Sequence, residues 1–323
     1  MKRWSLTAAA AAFFSLTALL SLPAVAGAKE IGGERVFPGE TVVPAGETWT
    51  VKPGSTLRFR GGKLVVRGTL LVEGSSERPV RIAFDASSDG IDLRGGDRNR
   101  IANAVFSGGR RAVTVTGAKV SLRDVRFEKG GVALTVGQYG KAEVRDCSFE
   151  SPERAGILVN RGGTLDVSGS RFSGARKSGV YLYGAGGASV RNCRFERNEV
   201  GLQLSMYGAS ATVSECVFSG NGTGILAERM AAPAVSRCEA TGNRTGFRFS
   251  RRAEGSVEGC RIEENGDGVL VEYSSYPVFR RNRFRRNRDY AARLSFQSSQ
   301  WEGEAGEGDR DAPAAGSELQ RVG

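Results

Sequence analysis

The chain has 323 residues, with 46 lysines and arginines against 35 aspartates and glutamates, and it contains no histidine. The absence of imidazole excludes a Ser-His-Asp or Cys-His catalytic centre and any metal site built on histidine. Such a length has room for one large or two modest domains. A repeat that continues without a linker predicts one elongated body instead.

The N-terminal segment has the pattern of a secretory signal peptide. Two basic residues precede an apolar run from Leu6 to Leu22, and small residues follow it. This order is typical of export signals, so we predict that residues 1–28 are removed by cleavage after Ala26 or Ala28. An uncleaved anchor is the alternative, but the run is shorter than the roughly 20 residues of a spanning helix. We expect a periplasmic or extracellular protein.

Three columns of residues recur every 22 or 23 positions. The columns are Cys147, Ser170, Cys193, Cys216, Cys238 and Cys260; Phe127, Phe149, Phe172, Phe195, Phe218, Ala240, Ile262 and Phe284; and Asn198, Asn221, Asn243, Asn265 and Asn287. Self-similarity at a fixed period predicts a solenoid, in which each unit buries its apolar face against the next.

Each repeat contains short alternating stretches, such as Val190–Phe195 and Gly201–Leu204, joined by a turn. Such alternation predicts a strand, a turn and a second strand. Stacking in register places residues of the same type above one another. Asparagine side chains in such a column can then form hydrogen bonds from coil to coil. We expect the cysteines to be buried thiols that act as small hydrophobes, because parallel stacked side chains do not point at each other as a disulfide requires.

The repeats Val213–Leu226 and Val257–Leu270, together with Pro53–Ile82, resemble right-handed parallel β-helix proteins of the pectate-lyase-like superfamily, in its broad bacterial exported group. The resemblance covers roughly residues 36–297. It implies an all-β, single-stranded right-handed parallel β-helix solenoid of about 11–12 rungs, which we expect over residues 29–297. Lyases, hydrolases, epimerases and non-catalytic surface proteins share this scaffold, so the fold does not settle the function.

The two ends of a solenoid expose unpaired strand edges that need protection. We expect Glu34–Pro44 to cap the N-terminal end and the arginine-rich stretch from Arg280 to Arg288 to discourage stacking at the other end. The pattern predicts an inward side chain at Arg293. Residues 298–323 lose the apolar columns and gain acids, which predicts a disordered acidic tail.

The outward positions of the strand after the repeat glycine form two columns. They are Leu158, Tyr181, Gln203, Leu226, Arg248 and Leu270, and Asn160, Tyr183, Ser205, Glu228, Ser250 and Glu272. Relatives that act on polysaccharides use such a face as the groove, so the resemblance implies that sugars are bound by Tyr181, Tyr183, Gln203, Tyr207, Tyr273 and Tyr276. The alternative is that tyrosine simply suits exposed strands.

Three residues of this face are catalytic candidates. Glu228 and Glu272 lie two rungs apart, about 9.6 Å, near the upper limit for an inverting pair of carboxylates, and Arg248 lies between them. The hydrolases and alginate epimerases of the superfamily use histidine-containing motifs that this chain lacks. A pectate-lyase-like mechanism, with acidic calcium ligands and an arginine base, remains open.

Calcium is the one cofactor that the sequence leaves open. Asp85, Asp89, Asp92 and Asp97 are its candidate ligands, although their spacing is not that of an EF-hand. They lie in a glycine-rich connection, which favours a role in turns. No other metal site is predicted.

A second set of charges recurs beside the phenylalanine column. Arg126, Arg171, Arg194, Arg261 and Arg283 precede it, and Glu128, Glu150 and Glu196 follow it. Such a stripe can hold a polyanion, in an exported protein an acidic polysaccharide or lipopolysaccharide and not nucleic acid. Pairing of arginine with glutamate across rungs is the alternative that we favour.

Taken together, these features predict an exported β-helix that binds or scaffolds an acidic polysaccharide at the cell envelope without catalysis. A polysaccharide lyase or glycoside hydrolase acting on the tyrosine-bearing face is the alternative. No membrane segment is expected after signal cleavage. The sequence leaves the glycan, the reaction and the oligomeric state open.

Overall fold

A computed structural model describes residues 27–295 and 302–303. The regular structure in them is β-strand alone, wound into a right-handed parallel solenoid of about 12 turns. The predicted all-β fold and right-handed parallel β-helix are confirmed. The predicted signal peptide lies outside the described residues up to position 26, and of the predicted tail only Glu302–Gly303 is described, as a short strand.

The strands are short and follow one another around each coil. The first five coils contain β1 (Ala28–Ile31), β2 (Glu34–Phe37), β3 (Glu40–Val43), β4 (Thr48–Val51), β5 (Thr56–Phe59), β6 (Lys63–Val66), β7 (Thr69–Glu73), β8 (Val80–Phe84), β9 (Gly90–Leu93), β10 (Asn99–Gly108), β11 (Arg111–Val115), β12 (Lys119–Glu128) and β13 (Val132–Val136). The next four contain β14 (Lys141–Arg145), β15 (Ser148–Glu150), β16 (Ala155–Val159), β17 (Thr164–Ser168), β18 (Arg171–Ser173), β19 (Ser178–Tyr183), β20 (Ala188–Arg191), β21 (Arg194–Glu196), β22 (Val200–Ser205), β23 (Ala211–Ser214), β24 (Val217–Ser219) and β25 (Thr223–Glu228). The last coils contain β26 (Ala234–Ser236), β27 (Glu239–Thr241), β28 (Thr245–Ser250), β29 (Ser256–Glu258), β30 (Arg261–Glu263), β31 (Asp267–Glu272), β32 (Val278–Arg280), β33 (Arg283–Arg285), β34 (Tyr290–Ser295) and β35 (Glu302–Gly303).

Two sheets run along the solenoid. Sheet B contains the last strand of every coil, in the order β3-β6-β9-β11-β13-β16-β19-β22-β25-β28-β31-β34. The other 23 described strands form sheet A, which covers the remaining sides of the coil. The pairings join equivalent positions of successive coils in parallel, as Phe149 with Phe172.

Sheet A bends at one residue per coil, and in most coils that residue has a positive φ. In β10 and β12 the bend lies inside one strand, at Asn103 with φ 48° and at Asp124 with φ 53°. In later coils it separates two short strands, and it falls on Asp146, Gly169, Asn192, Glu215, Arg237, Gly259 and Arg281. Glycine, asparagine and aspartate tolerate this conformation, whereas glutamate and arginine give no sequence signal for it.

The phenylalanine column runs through the core along the length of the solenoid. Nine rings from Phe37 to Phe218 stack with centroids 4.7–6.2 Å apart. The column therefore begins four coils earlier than the sequence indicated. Where Ala240 interrupts it, Phe247 of sheet B meets the edge of Phe218 at 6.3 Å, which fills the volume that the small residue leaves.

The asparagine ladder is confirmed and is fully buried. Asn243 Nδ2 donates to Asn265 Oδ1 and to the carbonyl of Phe218, each at 2.9 Å. Asn243 Oδ1 accepts from the backbone and side-chain nitrogens of Asn221, each at 2.9 Å. The Asn243 amide thus satisfies polar groups in the coil before it and in the coil after it, and such groups are costly to bury without partners.

The five cysteines are buried and are not joined in disulfides, as expected. They do more than fill space, because the column also accepts hydrogen bonds from the coil before it. The Cys193 N–H donates to Cys216 Sγ at 3.5 Å, and the Cys147 N–H donates to Ser170 Oγ at 3.1 Å. Serine therefore replaces cysteine here without loss of the contact. Burial raises the pKa of the Cys147 thiol to about 12, so it stays protonated.

The predicted N-terminal cap is wrong. Strands β2 and β3, which lie within Glu34–Pro44, pair with β5 and β6 and so belong to the first coil. Phe37 of this segment stacks on Phe59 at 4.7 Å. The inward positions of the segment alternate between polar Arg35 and Thr41, which pair with the buried Leu57 and Leu64 of the next coil, and the buried Phe37 and Val43.

The predicted inward direction of Arg293 is also wrong. It pairs in register with Leu270, an outward position, and its guanidinium lies 2.6 Å from Asp267 Oδ2. The last repeat is one residue longer, because Asp267 pairs with Tyr290. Ala291 then takes the place of the repeat glycine. A Cβ on Gly268 would lie 2.3 Å from the Ala291 carbonyl, so the coils below need glycine there.

We predict that Asn243→Ala lowers the free energy of unfolding by more than about 3 kcal/mol, since four buried polar groups lose a partner. Urea unfolding followed by circular dichroism measures the change. Asn192→Ala removes an exposed asparagine from a bend with φ 50° and is the matched control, with an expected loss of about 1–2 kcal/mol from the backbone conformation. Equal losses in the two variants would contradict a ladder that holds the coils together.

Candidate functional site

Exposed aromatic side chains gather where the chain leaves sheet B. Tyr139 is 78% exposed and Tyr207 is 74% exposed, whereas most large apolar side chains are buried. We call this region the tyrosine edge; it contains Tyr139, Tyr183, Tyr207, Met230, Tyr273 and Tyr276. It follows the ends of β13 to β31, so it spans six coil spacings, or about 29 Å.

The turns of the tyrosine edge hold large residues in a left-handed conformation. Tyr139 has φ 56° and Met206 has φ 84°. In three successive coils two such residues are adjacent, as Arg229 and Met230, Arg251 and Arg252, and Tyr273 and Ser274. Each costs about 1–2 kcal/mol relative to an ordinary backbone conformation. Strain of this kind persists where the surrounding structure fixes it, and it often marks functional segments.

The sequence-predicted sugar-binding residues divide into two groups. Tyr207, Tyr273 and Tyr276 lie in the turns of the tyrosine edge. Tyr181 and Tyr183 lie on β19, with ring centroids 6.0 Å apart at a steep angle. Burial raises the pKa of the Tyr181 hydroxyl above its usual value. Tyr181 is partly buried, whereas Tyr183 is exposed.

Gln203 is held in place by hydrogen bonds along sheet B. Its Oε1 accepts from Ser178 Oγ at 2.7 Å, and its Nε2 donates to Glu228 Oε1 at 3.1 Å. The other Glu228 oxygen lies 3.8 Å from Arg251. Ser205 and Ser250, expected outside, are buried at the strand ends. Ser178, Gln203, Glu228 and Arg251 are thus linked across successive coils of sheet B.

Two of the three catalytic candidates bind each other. Arg248 donates to Glu272 Oε1 from Nε at 2.9 Å and also from Nη2. The Glu272 side chain is only 10% exposed. Glu228 lies two coils before Glu272 and accepts a hydrogen bond from Gln203. Since a general acid must reach the substrate, this arrangement favours a structural role for Glu272.

Arginines without a carboxylate partner lie on the tyrosine edge. Arg161, Arg229 and Arg252 are exposed in its turns, and none forms an ion pair within the described part of the chain. Charge and aromatic surface therefore occur together on this edge.

The arginine stripe of sheet A is largely neutralised instead. Arg126 lies 3.0 Å from Glu128 and 2.9 Å from Glu150, and Arg261 and Arg283 each lie 3.5 Å from Glu263. The favoured alternative of pairing across rungs is confirmed for Arg126, Arg171 and Arg283. Arg261 pairs within its own coil, and Arg194 forms no ion pair with a described carboxylate. Exposed pairs of this type hold little net charge for a ligand.

The aspartates considered for calcium bind local partners. Asp85 accepts hydrogen bonds from Ser87 and Ser88, which hold the pKa of its carboxyl down at about 2. Asp89 pairs with Arg110 at 2.8 Å, and Asp92 and Asp97 pair with arginines next to them in the chain. Across residues 27–295 no group of three or more acidic or cysteine side chains is arranged to hold a metal ion.

Sequence reasoning missed Tyr139 and the unpaired arginines. Tyr139 lies in the turn between Gly137 and Gly140, outside the strand pattern on which the columns were based. The paired glycines around a lone tyrosine were the available signal. The arginines gave none, because the sequences of their turns differ from coil to coil.

A family model for the right-handed β-helix region matches residues 70–218 and 206–302. A sequence search of curated proteins finds no match. In the described part of the chain there is no helix of the length and apolarity needed to cross a membrane.

Solved structures with the same fold include two epimerases. A variant of the periplasmic alginate epimerase AlgG aligns with TM-score 0.61 and 14% identity over 87% of this chain and 69% of that one. The A-module of mannuronan C-5 epimerase AlgE6 from Azotobacter vinelandii aligns with TM-score 0.59 and 12% identity over 88% and 92%. The Agl-KA catalytic domain aligns with TM-score 0.57 and 11% identity over 86% and 62%. At these identities the likeness is one of fold.

We predict that Glu272→Gln lowers the free energy of unfolding by about 1–3 kcal/mol, because Arg248 loses a charged acceptor in a largely buried pair. Glu228→Gln, which keeps an oxygen for Gln203, is the control and should cost less than about 1 kcal/mol. Chemical denaturation measures both. A Glu272 variant as stable as the wild type would show that the pair is not structural.

Proposed function

The chain belongs to the right-handed β-helix family, and on this basis we propose that it is an exported protein that binds an acidic polysaccharide along the tyrosine edge without cleaving it. The apolar N-terminal pattern supports export. Two proteins with the same fold are named as epimerases of alginate and mannuronan. The fold is therefore found in enzymes that are named for polysaccharides.

One observation carries the proposal: exposed tyrosines and unpaired arginines share the same row of turns over about 29 Å. Tyrosine rings offer flat apolar faces with a polar hydroxyl, which suits the faces of sugar rings. Arginine binds carboxylates through a planar, rigid fork of donors. A row of both kinds matches an extended polymer that repeats a ring and an acidic group.

The acids near this edge argue against cleavage. Glu272 is bound to Arg248 and Glu228 is bound to Gln203, so neither carboxylate is free to transfer a proton. A pectate-lyase-like mechanism would need acidic calcium ligands beside an arginine base, and the four candidate aspartates bind local partners instead. Incubation with alginate and polygalacturonate should therefore yield neither unsaturated uronates nor new reducing ends, and either product would replace this proposal with a lyase or hydrolase.

We predict that the double variant Tyr139→Ala, Tyr207→Ala binds alginate about tenfold more weakly than the wild type, since each lost ring contact is worth about 0.5–1.5 kcal/mol. Both side chains are mostly exposed, so the fold should be preserved. Isothermal titration calorimetry at low salt measures the affinity.

The matched control for this variant is Tyr139→Phe, Tyr207→Phe, which keeps both rings and should bind within about twofold of the wild type. The binding should also weaken as salt is added, because the arginines attract the polymer by charge. Unchanged affinity in the alanine variant would remove the tyrosine edge from the proposed function.

A further inference from the structure

A cleft of about 680 Å³ extends over sheet B from the side where the chain enters β11, β13 and β16. We call it the arginine cleft. Its polar lining comes from Arg110, Arg111, Thr135, Glu153, Arg154 and Asn160.

Glycines create the space in this cleft. Gly131 lies between Arg110 and Arg154 at equivalent positions of three successive coils, as the register of the adjoining strands shows. A Cβ on Gly131 would lie 2.4 Å from the Arg110 carbonyl oxygen, so coil stacking requires glycine there. The missing side chain at Gly131 leaves a space between Arg110 and Arg154, and part of a ligand can enter this space.

The charge around the cleft is mainly positive. Arg110 is neutralised by Asp89 at 2.8 Å. Arg111 and Arg154 are exposed and form no ion pair with any described carboxylate. Glu153 is the one acidic residue in the lining. Two uncompensated guanidinium groups at one cleft favour an anionic ligand.

Thr135 supplies a second, independent sign of a ligand. It lies in the outward column of sheet B, between Thr114 and Leu158, yet it is only 6% exposed. Its hydroxyl is buried and makes no hydrogen bond to any described group. Buried hydroxyls in folded proteins nearly always have partners. A ligand in the cleft can provide the missing one.

We propose that the arginine cleft is a subsite for the carboxylate of a uronic acid unit, with Arg111 and Arg154 binding the anion and Thr135 bonding to the same sugar. The inference rests on the proposed function, because Tyr139 lies just beyond the other end of β13 and one glycan can reach both. The five residues of β13 span about 17 Å, so the two arginines lie about that far from Tyr139, with Thr135 between them.

The test uses trigalacturonate and its methyl ester, in which each carboxylate has lost its charge and gained a methyl group. The wild type should bind the acid in low salt and bind the ester at least about tenfold more weakly. Arg111→Gln, Arg154→Gln should weaken binding of the acid by about tenfold, and Thr135→Val by about threefold. Arg145→Gln, an exposed arginine on sheet A, is the matched control and should bind like the wild type. Melting temperatures check that each variant is folded.

Equal affinity for the acid and the ester, no binding of the acid, or normal binding by the double arginine variant would each overturn the inference. Failure of the proposed function looks different. In that case the tyrosine variants bind alginate normally while the arginine variants still lose trigalacturonate, so the cleft would stand as a site of its own.

Discussion

Register between successive coils is the constraint on which this protein depends. No coil can bury its inward side chains alone, so each relies on the coil above and below for both apolar contact and hydrogen bonds. The phenylalanine rings stack within 4.7–6.2 Å, and the buried amides of Asn221, Asn243 and Asn265 share hydrogen bonds between neighbours. A slip of one residue would reverse the direction of every side chain in a strand.

The same register arranges the outer surface. Since equivalent positions are one coil spacing apart, side chains in the turns after sheet B form a straight row, and those before it form another. The first row carries exposed tyrosines with unpaired arginines, and the second contains the arginine cleft. On sheet A the same geometry sets an arginine column beside glutamate residues, so that side chains pair diagonally between coils, as Arg126 with Glu150 and Arg283 with Glu263. The stacking therefore leaves fewer unpaired arginines beside the phenylalanine column than in the turns around sheet B.

The sequence predicted those features that repeat with a fixed period. The inward columns were readable because one residue type recurs at one spacing, and this periodicity reflects direct contact. The bends at Glu215 and Arg237 were not readable, because their positive φ is imposed by neighbouring coils and not by their own preference. The ion pair of Arg248 with Glu272 was likewise hidden, since spacing gives the distance between backbones but not the orientation of long side chains. Arg293 was misassigned because the last repeat is one residue longer.

The most direct test of coil register is a distance between spin labels on sheet A, measured by double electron–electron resonance. Positions Arg145 and Arg280 are exposed and are linked by six successive register steps. After Arg145→Cys and Arg280→Cys substitution and labelling, with the native thiols buried and unreactive, we expect one narrow distribution near 29 Å. A broad distribution, or a peak displaced by more than two coil spacings, would contradict the stacked arrangement.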